Sequence, residues 1–317
     1  MNKYILAFDV GGLFIKSTIL NQDGGIIPDT YAIFPSKSKE AKEKIIEHLF
    51  YIMKQQLNRI LDKHIRVIGV GFAFPGPFDY DKGISFIKGV DKFDQLYGVN
   101  IRSELLKLIK QDRSFSAKIE NNFIIQFDND ANLFALGEQK FGKGQKYKKS
   151  IYLTIGTGAG SAFMEQGHLI KKGYDIPING WIYNEPFKGS IVDDYISKRG
   201  IMRIAKELGV IAKDGEVKTL SKMARQNNQK SQKVFHRFGK NIGFALNPYI
   251  KTFTPEAIVM GGQIAKSKDL FIEGVYETLE NKTVAIELSE DSSLSTFKGV
   301  ANLIHQSIPT MTVHDKD

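Results

Sequence analysis

A chain of 317 residues, 42% of them hydrophobic, is long enough to bury one or two sizeable cores. It has no cysteine, which excludes disulfides, thiolate zinc sites and a thiol nucleophile. Its net charge is +9 and its six histidines are scattered, with no pair at ligand spacing. The lysines are spread along the chain, and the denser groups at 37–44 and 140–149 read as solvated faces. The basic balance therefore suits an anionic small molecule such as a nucleotide phosphate better than nucleic acid. No window holds eighteen uninterrupted apolar residues, and the apolar part of the N-terminus is too short for a secretory signal. No membrane partner and a cytoplasmic location are the expectations.

Residues 4–10 (YILAFDV) predict a first strand ending in Asp9, then Gly11-Gly12 and a second strand over 15–20. Glycines in that hairpin let backbone amides approach an anion, and Asp9 is placed to hold magnesium through water; an ordinary turn fits the same residues. Asp23-Gly24-Gly25 marks a further turn before 26–34. Ser36 or Ser38 is the candidate cap of a long helix over about 40–61, whose stripe from Ile45 to Ile60 is core packing. A buried strand over 67–74 is stopped by Pro75-Gly76-Pro77, a rigid loop suited to walling a pocket. Loop surface is expected over 79–100 and a helix over 101–110. The polar composition near 114–120 suggests a domain boundary: residues 1–118, closed by a C-terminal helix over about 299–317, and residues 119–298.

The densest chemical signal is FIIQFDNDANLFALGE, residues 123–138. An apolar run ends in Asp128-Asn129-Asp130, and apolar residues then recur at helical spacing through Leu133, Phe134, Leu136 and Phe141. A strand feeding directly into a helix places carboxylates where ligands collect in open α/β folds. The helix N-terminus favours an ionised Asp130, which is able to accept a proton from a substrate hydroxyl. Asn and Asp are also preferred N-caps, so the same residues fit a turn without chemistry.

The second half repeats this grammar. A strand over 150–155 meets Gly156-Thr157-Gly158-Ala159-Gly160 and another strand over 161–164, a second glycine-rich hairpin that fits either an anion cradle or a plain β-turn. Two similar domains facing across a cleft are expected. Residues 173–200, with Trp181, read mostly as loop. Helices are predicted over 191–207, 219–226, 231–250 and 269–279. A strand over 255–260 ends in Gly261-Gly262, where an adenine or ribose has room to lie against the backbone. A closing helix runs from Gly299 to about 307, with a frayed tail beyond it.

Together, Asp9-Val10-Gly11-Gly12, Pro75-Gly76-Pro77, Asn129-Asp130-Ala131-Asn132 with Gly137-Glu138, Gly156-Thr157-Gly158 and Gly261-Gly262 resemble the ROK family (repressors, open reading frames, kinases) in order and spacing. The resemblance spans about residues 5–306. It implies an actin-like ATPase (ribonuclease H-like) fold of two α/β domains around a cleft, and ATP-dependent phosphoryl transfer to a hydroxyl of a hexose, hexosamine or glycoside. In that reading Asp130 is the base and Asn129 bonds a neighbouring sugar hydroxyl. Pro75, Gly76, Asn179 and Trp181 lie on the substrate side. Asp9, Gly11 and Gly12 handle magnesium and phosphate. Gly156, Thr157 and Gly158 form a second phosphate loop, and Gly261 and Gly262 lie at the adenosine. ATP and Mg2+ are the implied cofactors, and a homodimer the implied assembly.

The sequence also departs from the family. Leu13 follows the glycines where the family has a threonine hydroxyl. Ile178 and Trp181 occupy the places of the Glu and His in the Gly-Glu-x-Gly-His segment, and the cysteine-rich zinc motif is absent, so no zinc is expected. Losing two hydrogen-bonding sugar ligands abolishes ordinary glucose affinity or redirects it. A tryptophan there stacks on a sugar face or an aryl group, or simply packs. An alternative reading is therefore a catalytically impaired sugar-binding or regulatory member. The family's DNA-binding repressors carry an N-terminal helix-turn-helix, for which a first strand at residue 4 leaves no room. A nucleotide-binding dehydrogenase is disfavoured because no G-x-G-x-x-G follows the first strand.

Overall fold

The computed structural model describes residues 2–62, 64–212 and 214–308. The chain divides into two compact units, the first reaching Gly137 and resuming at Thr296, the second Glu138–Ser295.

The first unit contains β1 (Asn2–Val10), β2 (Phe14–Asn21), β3 (Ala32–Pro35), α1 (Lys42–Leu57), β4 (Ile65–Ala73), β5 (Phe78–Asp79), β6 (Ile84–Ser85), α2 (Ile101–Gln111), α3 (Arg113–Ser116), β7 (Ile119–Asp128) and most of α4 (Asp130–Phe141). Its main sheet has the order β3-β2-β1-β4-β7. β1 is antiparallel to β2 and parallel to β4, which is parallel to β7. β4 is buried along almost its whole length, as expected of a parallel strand covered on both faces. The register aligns Asp9 with Ala73, and Ala73 with Asp128. The segments after β1, β4 and β7 therefore leave one edge of the sheet side by side.

The second unit contains β8 (Lys149–Ile155), β9 (Ala159–Glu165), β10 (His168–Leu169), β11 (Pro186–Phe187), β12 (Ser190–Ile191), α5 (Asp193–Ile196), α6 (Lys198–Glu207), α7 (Val217–Arg225), α8 (Gln229–Phe253), β13 (Ala257–Gly261), α9 (Lys268–Thr278) and β14 (Ala285–Leu288); α10 (Ser292–Ser307) leads back into the first unit. Its sheet order, β10-β9-β8-β13-β14, repeats the antiparallel-then-parallel plan of the first. Each unit has its own apolar core. No helix among the described residues is long and apolar enough to cross a membrane.

Several expectations are corrected. The boundary falls at Gly137, not near 118, because β7 is hydrogen-bonded into the first sheet. The helix expected over 191–207 is broken at Ser197, whose extended backbone and hydroxyl cap α6. The closing helix starts at Ser292 rather than Gly299, and the tail beyond 308 lies outside the described residues. Neither Ser36 nor Ser38 caps α1; both hydroxyls donate to the Gly12 carbonyl, at 2.5 and 2.6 Å.

α10 packs on β4 and α4 at backbone range. A Cβ on Gly299 would lie 1.8 Å from the Leu133 carbonyl oxygen, and one on Gly71 2.4 Å from Val300. Gly299→Ala is accordingly expected to destabilise the protein by about 3 kcal/mol, since backbone cannot yield as a side-chain tip does. A lowered urea midpoint checks this; an unchanged one means that the helices part freely.

Candidate active site

At the edge of the first sheet, the Gly11 amide donates to Phe14 O at 2.9 Å and closes the β1–β2 turn tightly. The Gly12 carbonyl is fixed by the two serine hydroxyls. Leu13 is 78% exposed, so no packing requires its apolar side chain. Asp9 is half-buried and its carboxylate meets Lys16 Nζ at 3.3 Å. In the neighbouring segment the Phe74 amide donates to Asp128 O at 3.0 Å and Tyr80 Oη donates to Phe74 O at 3.0 Å, fixing the approach to Pro75 and Gly76.

The β7–α4 junction is built on a set of capping hydrogen bonds. Asp128 is buried and accepts from the Asn129 amide and from Asn132 Nδ2, each at 2.7 Å. Asn129 caps α4: its carbonyl accepts from the Leu133 amide at 3.0 Å and its Oδ1 from the Ala131 amide at 2.8 Å. Its side-chain NH2 donates to no protein group among the described residues. Asp130 Oδ1 accepts from the Ala131 amide at 2.9 Å. Asp130 retains an open path to solvent. Even so, the surrounding protein withdraws enough water to push its carboxyl above the usual range, the carboxylate of Asp9 pushes the same way, and Lys92 opposes both.

In the second unit, Gly156, Thr157 and Gly158 form the β8–β9 turn, with the Gly156 amide donating to Gly158 O at 2.9 Å. Two bonds from the α5–α6 corner grip this hairpin. Asp193 Oδ1 accepts from the Ala159 amide at 2.6 Å, and the Lys198 amide donates to Gly156 O at 3.0 Å. Asp193 is buried, with Arg199 on its other oxygen. Gly261 ends β13 beside Thr154. Gly262 has φ +91°, and a Cβ there would lie 2.3 Å from Ile155 O, so glycine is required both by conformation and by close approach.

Between these turns lies a cavity of about 490 Å³ lined by Gly156, Thr157, Lys198, Glu216, Val217, Lys218, Ser221, Arg225, Gln263, Ile264, Lys266 and Ser267. Of the sequence-predicted residues, it contains Gly156 and Thr157. Gly158 is exposed and is not among the lining residues, and Gly261 and Gly262 deliver Gln263 and Ile264 to the cavity. Asn179 and Trp181 sit apart from this cavity, on a turn held by Ser161 Oγ donating to Gly180 O at 2.6 Å. There Asn179 adopts φ +63°, Ile178 is 81% exposed, and the half-buried Trp181 ring lies 6.5 Å from that of Tyr183. Asp193 and Lys198 escaped the sequence reading. An acidic pair and a lysine at a helix start are common, and only the tertiary fold brings them to the hairpin.

The chain is similar to known proteins. A glucokinase of Halalkalibacterium halodurans is 25% identical over 301 residues, 88% of this chain and 86% of that protein. A xylose repressor of Bacillus subtilis strain 168 is 22% identical over 288 residues, 88% of this chain and 69% of the repressor. The crystal structure of a ROK family glucokinase from Streptomyces griseus, in complex with glucose and AMPPNP, superposes with a TM-score of 0.71 at 18% identity, covering 96% of this chain and 99% of that one. The fold is thus the actin-like ATPase fold of the ROK glucokinases. The sequence pattern of the ROK family matches residues 5–306, and the chain belongs to that family.

Proposed function

We propose that the protein is an ATP-dependent sugar kinase that transfers the γ-phosphoryl of ATP to a hydroxyl of a hexose, hexosamine or glycoside. The observation that carries the reading is Asp130 itself: solvent-accessible, at the start of α4, with a carboxyl held above its ordinary range by desolvation and by Asp9. Asp130 takes the proton of the attacking hydroxyl as its oxygen forms the bond to the γ-phosphorus, and ADP departs with the electrons of the broken bond. Catalysis then rests on positioning and charge stabilisation. The Asn129 side-chain NH2 orients a neighbouring hydroxyl, while Gly12 and Thr157 offer backbone amides to phosphates and Gly11 and Gly156 shape the two turns, their own amides being held by Phe14 O and Gly158 O. The second-unit cavity takes the nucleotide.

Magnesium, when bound, neutralises charge on the phosphates. Asp9 is the residue to hold it, through water. Asp9 and Asp130 raise local negative charge together, and the described residues contain no cluster of three acidic or histidine ligands. Such a donor set fits an ion held mainly by phosphate oxygens and water.

A second reading, a sugar-binding or regulatory member without turnover, is favoured by the Lys16 cation already on Asp9, by the exposed Leu13 in place of a hydroxyl, and by the likeness to a xylose repressor. A coupled ADP-release assay with magnesium-ATP across hexoses, amino sugars and β-glucosides separates the two. Turnover on one class is expected and rejects the second reading. No turnover on any class, with sugar binding by calorimetry, rejects the first.

A further inference from the structure

The cavity beside the Gly156–Thr157 turn carries several cations, and they are not equivalent. Arg225 is committed to Asp269 through two hydrogen bonds of 3.0 and 2.8 Å. Lys218 and Lys266 are exposed on its rim. Lys198 alone among them is tied to the hairpin, because its own amide donates to Gly156 O at 3.0 Å. Its side chain is 35% exposed, and both it and Thr157 line the cavity. Its ammonium rests on Glu216 Oε1 at 2.7 Å, and Glu216, 56% exposed, lines the cavity from the start of α7.

We propose that Lys198 is the cation that binds the phosphates of a nucleoside di- or triphosphate in this cavity, and that Glu216 holds it in reserve until the nucleotide arrives. The inference rests on the nucleotide reading of the cavity given above. An exposed lysine–glutamate pair contributes little and is easily exchanged. A charge-assisted bond to a phosphate oxygen beside the glycine turn is stronger, and the tether to Gly156 removes part of the entropy cost of holding the ammonium there. Glu216 acts against the ligand twice, by competing for the ammonium and by repelling the phosphate. Its carboxylate therefore sets the affinity, and the nucleotide must displace it.

Calorimetric titration of the full chain with ADP, ATP and adenosine in magnesium buffer tests this. Lys198→Met is expected to weaken ADP and ATP about tenfold, the loss of one charge-assisted bond, and to leave adenosine unchanged. Lys198→Arg is expected to restore most of the loss, and Glu216→Gln to tighten ADP several-fold. Equal ADP affinity in Lys198→Met and wild type would overturn the proposal. So would a parallel loss of adenosine, which marks a structural role. If wild type phosphorylates a sugar while Lys198→Met binds ADP normally, the inference falls and the kinase reading stands. If the titrations go as expected but no sugar is phosphorylated, the kinase reading falls and Lys198 stands. Absence of any ADP or ATP binding to wild type removes both.

Discussion

Asp130→Asn is expected to lower kcat by about 10³-fold, the range lost with a general base, while the protein folds as before. The amide keeps the size of the carboxyl, and its oxygen still accepts from the Ala131 amide, so the α4 terminus is not disturbed. What disappears is the acceptor for the substrate proton. Stability should move the other way. In the folded protein the carboxyl lies above its ordinary range, so the folded state binds this proton more tightly than the unfolded state does. Ionisation of Asp130 consequently opposes folding above that raised value, and the neutral Asn escapes the penalty. An unchanged or raised melting temperature alongside lost turnover is the expected pair of results. The pH profile follows the same sign: kcat/KM falls with acidity through a limb above the ordinary aspartate range. Desolvation, the larger cause of the shift, persists when a cation neutralises Asp9. Full activity in the Asn variant would end the role of Asp130 as base, and a collapse in melting temperature would make the residue structural.

Legibility in the sequence tracked the range of the interactions involved. β1 and β7 were readable because their apolar runs stop at Asp9 and Asp128, and the sheet register then brings those ends into line. The capping reading of residues 128–130 holds at Asn129, whose Oδ1 accepts from the Ala131 amide, and that use of the oxygen leaves the functional reading open as a proposal. Local rules failed where a side chain acts at a distance. Ser36 and Ser38 have the composition of a helix cap, but their hydroxyls reach back to Gly12 across β2 and β3. The polar stretch that suggested a domain boundary is the short α3 and the start of β7, an edge strand that pairs with β4 at Ile119 and exposes Asn121 and Asn122 where the pairing register shifts. The wall of the second-unit cavity is the least legible part. Lys198, the α7 pair Glu216 and Ser221, and Lys266 come from three separate segments, and no spacing in the sequence links the three.

Asp193→Ala should raise the KM for magnesium-ATP about tenfold and lower stability by about 2 kcal/mol, because it leaves the buried Ala159 amide without its acceptor. The second anchor, Lys198 amide to Gly156 O, survives, as does the internal Gly156–Gly158 bond; the hairpin is loosened at one end rather than unfolded. That asymmetry predicts a KM effect larger than the kcat effect, since phosphate contacts weaken while Asp130 is untouched. The charge on Asp193 matters less than its oxygen. Its partner Arg199 is exposed, and ion pairs with one exposed partner contribute at most about 1 kcal/mol. Asp193→Asn, with Oδ1 still accepting from Ala159, should therefore stay close to wild type in both KM and urea midpoint, as should Arg199→Ala. If Asn proves as damaging as Ala, the carboxylate charge orders the hairpin and the geometric account is wrong. An unchanged KM in Asp193→Ala would show that the hairpin keeps its shape through its own turn, with the α5–α6 corner merely packed behind it.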